Sequence, residues 1–327
     1  MKPRSGLLTR SGTNRPVSNP TPVPDVSLVI PAYNRADLLE RCLASIRAST
    51  SVTWEATVVD NASPEDLSSL RAQFPDVRWM RSEANVGYAA ANNLGLRGAR
   101  GRHLCWLNSD AELFPDTLRS LVAYLDQHPG VGAVTPRNVG PHGETQPCLS
   151  PEHTLAMAWL RDSGLHLTFP NLPPFRGWML PDLDWEREQE ALTTQTTCLL
   201  IRKEAYEQVG EMDAALFLFY NDVDWCRRLR GAGWKLVYLP EPRVLHHGSA
   251  SVETASWKER QLWRDRYRFF GKWYGAAGRL GVRAACLDRG IWRMLAQVVK
   301  GRPRQIPALV ALSRRLYAAL GEDRNGV

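Results

Sequence analysis

The 327-residue chain is 44% hydrophobic and 23% charged. That is ordinary globular composition; it excludes a wholly disordered or fibrous protein and fits one large domain or two ordinary ones. The net charge of +7 is unevenly placed: residues 255–327 hold 16 Lys and Arg against 5 Asp and Glu, while residues 1–254 hold 25 against 29. A mildly acidic body therefore carries a strongly basic tail.

Residues 1–25 are rich in Pro, Ser, Thr, Asn and Arg without periodicity, which predicts a disordered lead-in. A short apolar strand follows at 26–30, then a helix over 36–48 with Leu38, Leu39, Cys42, Leu43 and Ile46 at helical spacing. The alternation continues with strand 54–59, helix 64–73, strand 77–81, helix 88–99, strand 103–107, helix 115–128 and strand 131–135. Strands alternating with helices predict βαβ units and a mostly parallel, doubly wound α/β sheet. Residues 136–190 lose the alternation and read as a long insertion over one sheet edge. Strand 196–201, a short helix at 203–208, a helix at 222–231 and strands 234–239 and 243–246 resume it. From 256 onward the chain reads as basic helices studded with aromatics.

No apolar run reaches the ~18 residues needed to span a bilayer, and the N-terminal segment lacks the apolar core of a secretory signal. A cytoplasmic protein is expected. The six cysteines, at 42, 105, 148, 198, 226 and 286, form no Cys-x-x-Cys pair and sit mostly in apolar stretches. They are expected to be buried, reduced thiols.

In open α/β sheets, ligands bind beyond the carboxyl ends of the strands. Here those ends carry Pro31-Ala32-Tyr33-Asn34, Asp60-Asn61-Ala62-Ser63, Asn85-Val86-Gly87-Tyr88 and Asn108-Ser109-Asp110. None is a dinucleotide or P-loop fingerprint. A carboxylate at Asp60 can accept hydrogen bonds from a base or ribose, and Tyr33 can lie against a base. Any one of these motifs alone reads as an Asx turn or a cap. Four on one rim are harder to explain that way.

In this order, the residues resemble the inverting nucleotide-sugar glycosyltransferases of family 2, with the GT-A fold, and most closely their rhamnosyltransferase-like branch. The resemblance covers residues 26–251. It extends to Asn93, Gly210-Glu-Met-Asp213, Phe219-Tyr220-Asn221-Asp222-Val223-Asp224, Gly233-Trp234 and His246-His247-Gly248-Ser249-Ala250-Ser251. It implies a glycosyltransferase domain over 26–254, with a nucleotide-binding half at 26–135 and an acceptor or catalytic half at 136–254. A basic helical extension follows at 255–327.

The resemblance implies that Pro31, Ala32, Tyr33, Asn34, Asp60, Asn85, Gly87 and Asn108 bind the nucleotide sugar. A divalent metal, Mn2+ or Mg2+, would neutralise the diphosphate leaving group. The family's Asp-x-Asp reads Asn108-Ser109-Asp110 here, which puts the metal on Asp110, with His246 (or the adjacent His247) as a further ligand. The family's acidic pair becomes Asn221-Asp222, and Asp222 is the expected base that takes the acceptor proton. Asn221 also suits an N-cap, with Asp224 three residues on as its capping-box acid. One base opposite the leaving group implies inversion.

The implied substrates are a nucleoside diphosphate sugar, dTDP-rhamnose first, and a cell-envelope saccharide or lipid-linked acceptor. A binding-only or scaffolding member of the same fold is the alternative. For the tail, aromatics at 257, 263, 267, 270 and 274 lie close to helical spacing with Arg and Lys between. Such a helix either packs on the domain or lies on an anionic membrane as a peripheral anchor. No nucleic-acid module is present, so no nucleic-acid partner is expected.

Overall fold

The computed structural model describes residues 22–157, 183–248 and 254–320. Most of the expected lead-in, the middle of the 136–190 insertion and Ser249, Ala250 and Ser251 lie outside the described residues.

The first half runs β1 (Val26–Ala32), α1 (Ala36–Arg47), β2 (Trp54–Asp60), α2 (Ser68–Gln73), β3 (Arg78–Arg81), α3 (Tyr88–Leu96) and β4 (His103–Leu107). A short β5 (Ala111–Leu113), α4 (Thr117–Gln127) and β6 (Val131–Val139) follow. Two-residue strands β7 (Thr145–Gln146), β8 (Leu149–Ser150) and β9 (Gln189–Glu190) lie in the described parts of the insertion, and β10 (Thr193–Thr194) comes just after it. The chain then forms β11 (Cys198–Arg202), α5 (Lys203–Val209), α6 (Asn221–Gly231), β12 (Lys235–His246), α7 (Ala255–Val299) and α8 (Ile306–Ala319).

The sheet order is β3-β2-β1-β4-β11-β6-β12-β5. β3, β2, β1 and β4 are parallel neighbours, as the alternation predicts. The strand over 131–139 does not continue that run. β11 enters antiparallel between β4 and β6, so the sheet is mixed at its centre. The two late strands fuse into β12, which runs past Pro240 and Pro242 with register shifts.

Period-two alternation sorts the core into two layers. Leu28, Ile30, Cys105, Leu107 and Leu200 face α1, α2 and α4. Val29, Leu104, Trp106, Leu199 and Ile201 face α3, α5 and α6. In the second layer Trp225 of α6 meets Trp106 edge-on, with ring centroids 4.8 Å apart. All six cysteines are buried and free of disulfides, as their apolar surroundings predict.

A third cluster joins the tail to the body. Trp263, Phe269 and Phe270 of α7 are buried against Leu216, Tyr220 and Val223. The aromatic face of 257–274 is thus turned towards the body of the fold. An anchor inserting that face into a membrane does not fit this packing.

Candidate active site

Because β1, β2 and β4 are parallel and in adjacent positions, their following loops leave the sheet side by side. Pro31, Ala32, Tyr33, Asn34, Asn85, Gly87, Asn108 and Asp110 all line one cleft. Eight of the residues expected from sequence therefore come together on one rim. Arg35, Asn61, Tyr88 and Ser109 join them from the same loops. Phe217, Leu218 and Trp257 close the cleft from the C-terminal half.

The turn after β1 places Asn34 and Arg35 in the left-handed region, at φ 60° and 59°. Asn tolerates that conformation better than most residues. The Asn34 N–H donates to Ser63 Oγ at 2.9 Å, which ties this loop to the one after β2. Asn61 then holds the third loop: its Nδ2 donates to Asn85 Oδ1 at 2.9 Å and its Oδ1 accepts the Val86 N–H at 2.8 Å. Gly87 has φ 88°, and a Cβ there would stand 2.6 Å from the Phe217 carbonyl oxygen. That carbonyl accepts the Tyr88 N–H at 2.7 Å. Glycine is required by both the conformation and the close approach.

Asp60 departs from its expected place. It does not line the cleft; its carboxylate pairs with Arg81 and accepts the Ser63 N–H at 2.9 Å, closing the turn. Successive strand residues point to opposite sides, so Asn61 takes the cleft-lining position instead.

Asp110 and His246 meet across the cleft margin, with His246 Nε2 3.6 Å from Asp110 Oδ1. Gln146 fixes the imidazole. Its Nε2 donates to the His246 carbonyl at 3.1 Å, which turns its Oε1 towards His246 Nδ1 at 2.9 Å. Nδ1 is then the protonated nitrogen, and the Nε2 lone pair faces the carboxylate. Burial pushes the imidazole below its ordinary value, against the pull of Asp110, and so favours this neutral form. Two acceptors facing each other across 3.6 Å suit a shared cation. His247 is otherwise engaged, with Nε2 2.6 Å from Glu112 Oε1.

Among the described residues no three His, Cys, Asp or Glu side chains form a ready-made cage. A two-donor site suits a metal that completes its shell with substrate phosphate oxygens. Asn108, beside Asp110, accepts the Tyr88 hydroxyl at 2.9 Å.

Asp222 stands in the first turn of α6, half-buried. Burial pushes its carboxyl up to about 6, against the Val223 N–H that it accepts at 2.8 Å. Asp222 does not itself line the cleft, but its field reaches the half-buried Tyr88, which does: that phenol is pushed up chiefly by burial and further by Asp222 and Asp110.

The expected capping of α6 is not what forms. Tyr220 occupies the cap position at φ 64°, and no side-chain oxygen caps the helix. Asn221 donates to the Leu218 carbonyl at 2.9 Å. Asp224 is fully buried and meets Arg228 Nε, Trp273 Nε1 and Lys272 Nζ at 2.9, 2.9 and 2.8 Å.

The residues missed from sequence are those supplied by tertiary contact. Trp257 was visible only as one aromatic in a basic run, and Phe217 and Leu218 as an apolar approach to α6. Asp265 of α7 accepts the backbone N–H groups of Phe217, Leu218 and Phe219 at 3.0, 3.0 and 2.9 Å. Arg266 Nε donates to the Tyr220 hydroxyl at 2.8 Å. The tail thereby holds the loop that leads into Asp222.

In sequence and in fold the chain is similar to known proteins. The family described as "Glycosyl transferase family 2" matches residues 27–210. The chain is 29% identical, over 83% of its length, to the O-antigen biosynthesis protein RfbC of Myxococcus xanthus, but spans only 22% of that protein. It is 30% identical to an N-acetylglucosaminyl-diphospho-decaprenol L-rhamnosyltransferase of Mycobacterium tuberculosis, covering 69% of this chain and 76% of that one. In fold it is similar to the Pyrobaculum calidifontis mannosyltransferase PcManGT, solved with GDP-Man and Mn2+. The TM-score is 0.52 at 18% identity, over 92% of this chain and 87% of that one. The mixed sheet, the rim of strand-end loops and the matched span together place this chain in glycosyltransferase family 2, with the GT-A fold.

Proposed function

We propose that the protein is a metal-dependent inverting glycosyltransferase that moves a sugar from a nucleoside diphosphate sugar to a hydroxyl of a cell-envelope polysaccharide or lipid-linked acceptor. The observation that carries this is the meeting of Asp110 and His246 beside a cleft lined by four strand-end loops. The name of the mycobacterial relative, which specifies L-rhamnose and a diphospho-decaprenol acceptor, supports dTDP-rhamnose as the first donor to test. An acceptor of that kind would bring the enzyme to a membrane surface.

In this reading Tyr33 and the Asn85–Gly87 loop take the nucleoside, and Asn108 orients the ribose or sugar. Asp110 and His246 would hold Mn2+ or Mg2+, which supplies charge neutralisation of the departing diphosphate. Asp222 accepts the proton of the attacking hydroxyl from the face opposite the leaving group, so the anomeric configuration inverts. Its raised pKa suits a base working just above the pH at which it titrates.

Donor binding is the direct test. A nucleotide sugar that binds only the folded chain raises its unfolding temperature. A panel of dTDP-, UDP- and GDP-sugars, each with and without Mn2+ or Mg2+, is expected to give a selective, metal-dependent rise. Asp110→Ala should abolish the metal-dependent part and cut turnover about 100-fold or more, the scale of charge stabilisation by a bound cation. His246→Ala should weaken it, and His247→Ala should leave it intact, because His247 is held by Glu112. A full metal-dependent response in Asp110→Ala would remove this metal assignment. Donor hydrolysis in the wild type separates an enzyme from a binding-only member.

A further inference from the structure

We infer that the distal half of α7 is a membrane-docking face, taking an anionic lipid surface as its partner. The helix bends at Gly275, where the backbone is non-helical at φ 61°. Beyond the bend one face is ordinary: Val282, Ala285 and Cys286 are buried with Leu316 and Leu320. The opposite face should be polar on a surface helix. It is not. Leu280, Leu287, Ile291, Leu295 and Val298 are 69, 50, 51, 48 and 56% exposed, and Trp292 beside them is 41% exposed. Their spacing puts them on one stripe.

This is a patch and not scatter. Eight of the eleven large hydrophobics that are exposed among the described residues fall between 280 and 317. A helix that is apolar on two faces is covered on both.

Charge selects what covers it. Residues 276–320 hold nine Lys and Arg and a single acid, Asp288. Lys300, Arg302 and Arg304 follow the stripe directly and are exposed, as are Arg314 and Arg315 on α8. Two copies stacked through this face would set like charge against like charge. Anionic head groups would attract it, while the long basic side chains reach outward from an apolar bed. No helix among the described residues is long and apolar enough to cross a bilayer, so the face lies in the surface and does not span it.

The same helix supplies Trp257 to the donor cleft. Docking its far half would therefore present the cleft to acceptors carried by that membrane. This purpose rests on the proposed transfer to a lipid-linked acceptor; the docking itself does not.

The test is co-sedimentation of the full chain with phosphatidylglycerol–phosphatidylcholine vesicles and with pure phosphatidylcholine vesicles, without donor or acceptor. Binding to the anionic vesicles is expected, weakening as salt rises. Ile291→Glu/Leu295→Glu, at exposed positions, should fold with an unchanged unfolding temperature and lose partitioning by about 100-fold, from two buried aliphatic side chains. Arg302→Ser/Arg304→Ser should lose about tenfold or more on the anionic vesicles only. Absence of wild-type binding, or binding unchanged in the apolar variant, overturns the inference. So does light scattering that shows a wild-type dimer broken by Ile291→Glu/Leu295→Glu, because a second copy would then be the occupant. Donor binding measured in solution should be the same in these variants and the wild type. A protein that docks but transfers no sugar would fail the enzymatic reading and leave the docking face standing.

Discussion

Asp222→Asn is expected to cut sugar transfer by orders of magnitude and, at neutral pH, to make the fold more stable. The two effects share one cause. The carboxyl lies in the first turn of α6 in surroundings dry enough to push it from its ordinary 3.8 up to about 6. A group whose folded pKa is raised binds its proton more tightly in the folded state. Its contribution to stability is therefore fully present below 3.8 and is lost as pH rises through about 6. At pH 7 the wild type carries that cost as an ionised acid. An amide of the same shape does not ionise, so the variant should gain about 1–3 kcal/mol at pH 7 and nothing at pH 3. Transfer should fall by about 10²–10⁴-fold, the usual value of a positioned base.

If Asp222 is the base proposed above, the wild-type rate should also fall as pH drops through about 6, where its carboxylate is protonated. Donor binding should survive the substitution, since the cleft is lined by other residues. Chemical denaturation of both proteins across this pH range, with transfer assays on the same samples, reads all of this. Wild-type transfer in Asp222→Asn would remove Asp222 from the reaction. A stability difference that does not change with pH would remove the buried-carboxylate account.

How much of this could be read in the sequence depends on the range of the interactions involved. The parallel run of β1 to β4, and the rim on which their loops meet, follow from alternating apolar segments and the handedness of crossovers. Both are local rules. Pro31, Tyr33, Asn34, Asn85, Gly87, Asn108 and Asp110 were legible because each lies at the carboxyl end of a strand of the parallel run or in the loop after it.

The antiparallel entry of β11 was not legible. A short strand with four consecutive apolar residues, Cys198 to Ile201, looks the same in either direction, and only its pairing with β4 and β6 decides it. The exchange of Asp60 for Asn61 turns on which side of one strand end faces the cleft. Arg81, 21 residues away, is the partner that occupies the acid.

The aromatic run at 257–274 shows the same limit. Helical spacing says that one face is apolar, not what covers it. The catalytic domain covers Trp263, Phe269 and Phe270, and the uncovered stripe lies further along. His246 and His247 could not be separated by position. Gln146, on β7, and Glu112, on β5, separate them by taking one each.

Asp265→Ala is expected to disable the enzyme although Asp265 does not line the cleft. Its carboxylate is buried and accepts three consecutive N–H groups, from Phe217, Leu218 and Phe219, with Gln261 Nε2 as a fourth donor at 2.8 Å. Burial raises its pKa, and those four donors oppose the rise. The loop they fix does three things. Phe217 and Leu218 wall the cleft, the Phe217 carbonyl holds Tyr88, and Tyr220 stands in a left-handed conformation directly before Asn221 and Asp222. A non-glycine residue in that conformation costs about 1–2 kcal/mol and persists only where its surroundings impose it.

Removing the acceptor leaves N–H groups unpaired, at about 1–3 kcal/mol each if no water reaches them. Relief of the carboxylate's own burial offsets part of that, so a net loss of about 3 kcal/mol is expected. Displacing Asp222 by about 1 Å would cost about 100-fold in rate, and the donor KM should rise as the Phe217 wall loosens. Because Asp265 positions and does not exchange protons with the substrate, the residual activity should keep the wild-type acid limb near pH 6 set by Asp222. Asp265→Asn retains one oxygen acceptor and should recover part of both stability and rate. Steady-state kinetics on folded protein, below each variant's own unfolding temperature, separate the positioning effect from simple loss of fold. If Asp265→Ala stays folded with unchanged kcat and KM, the loop does not depend on α7, and the tail is no part of the catalytic unit.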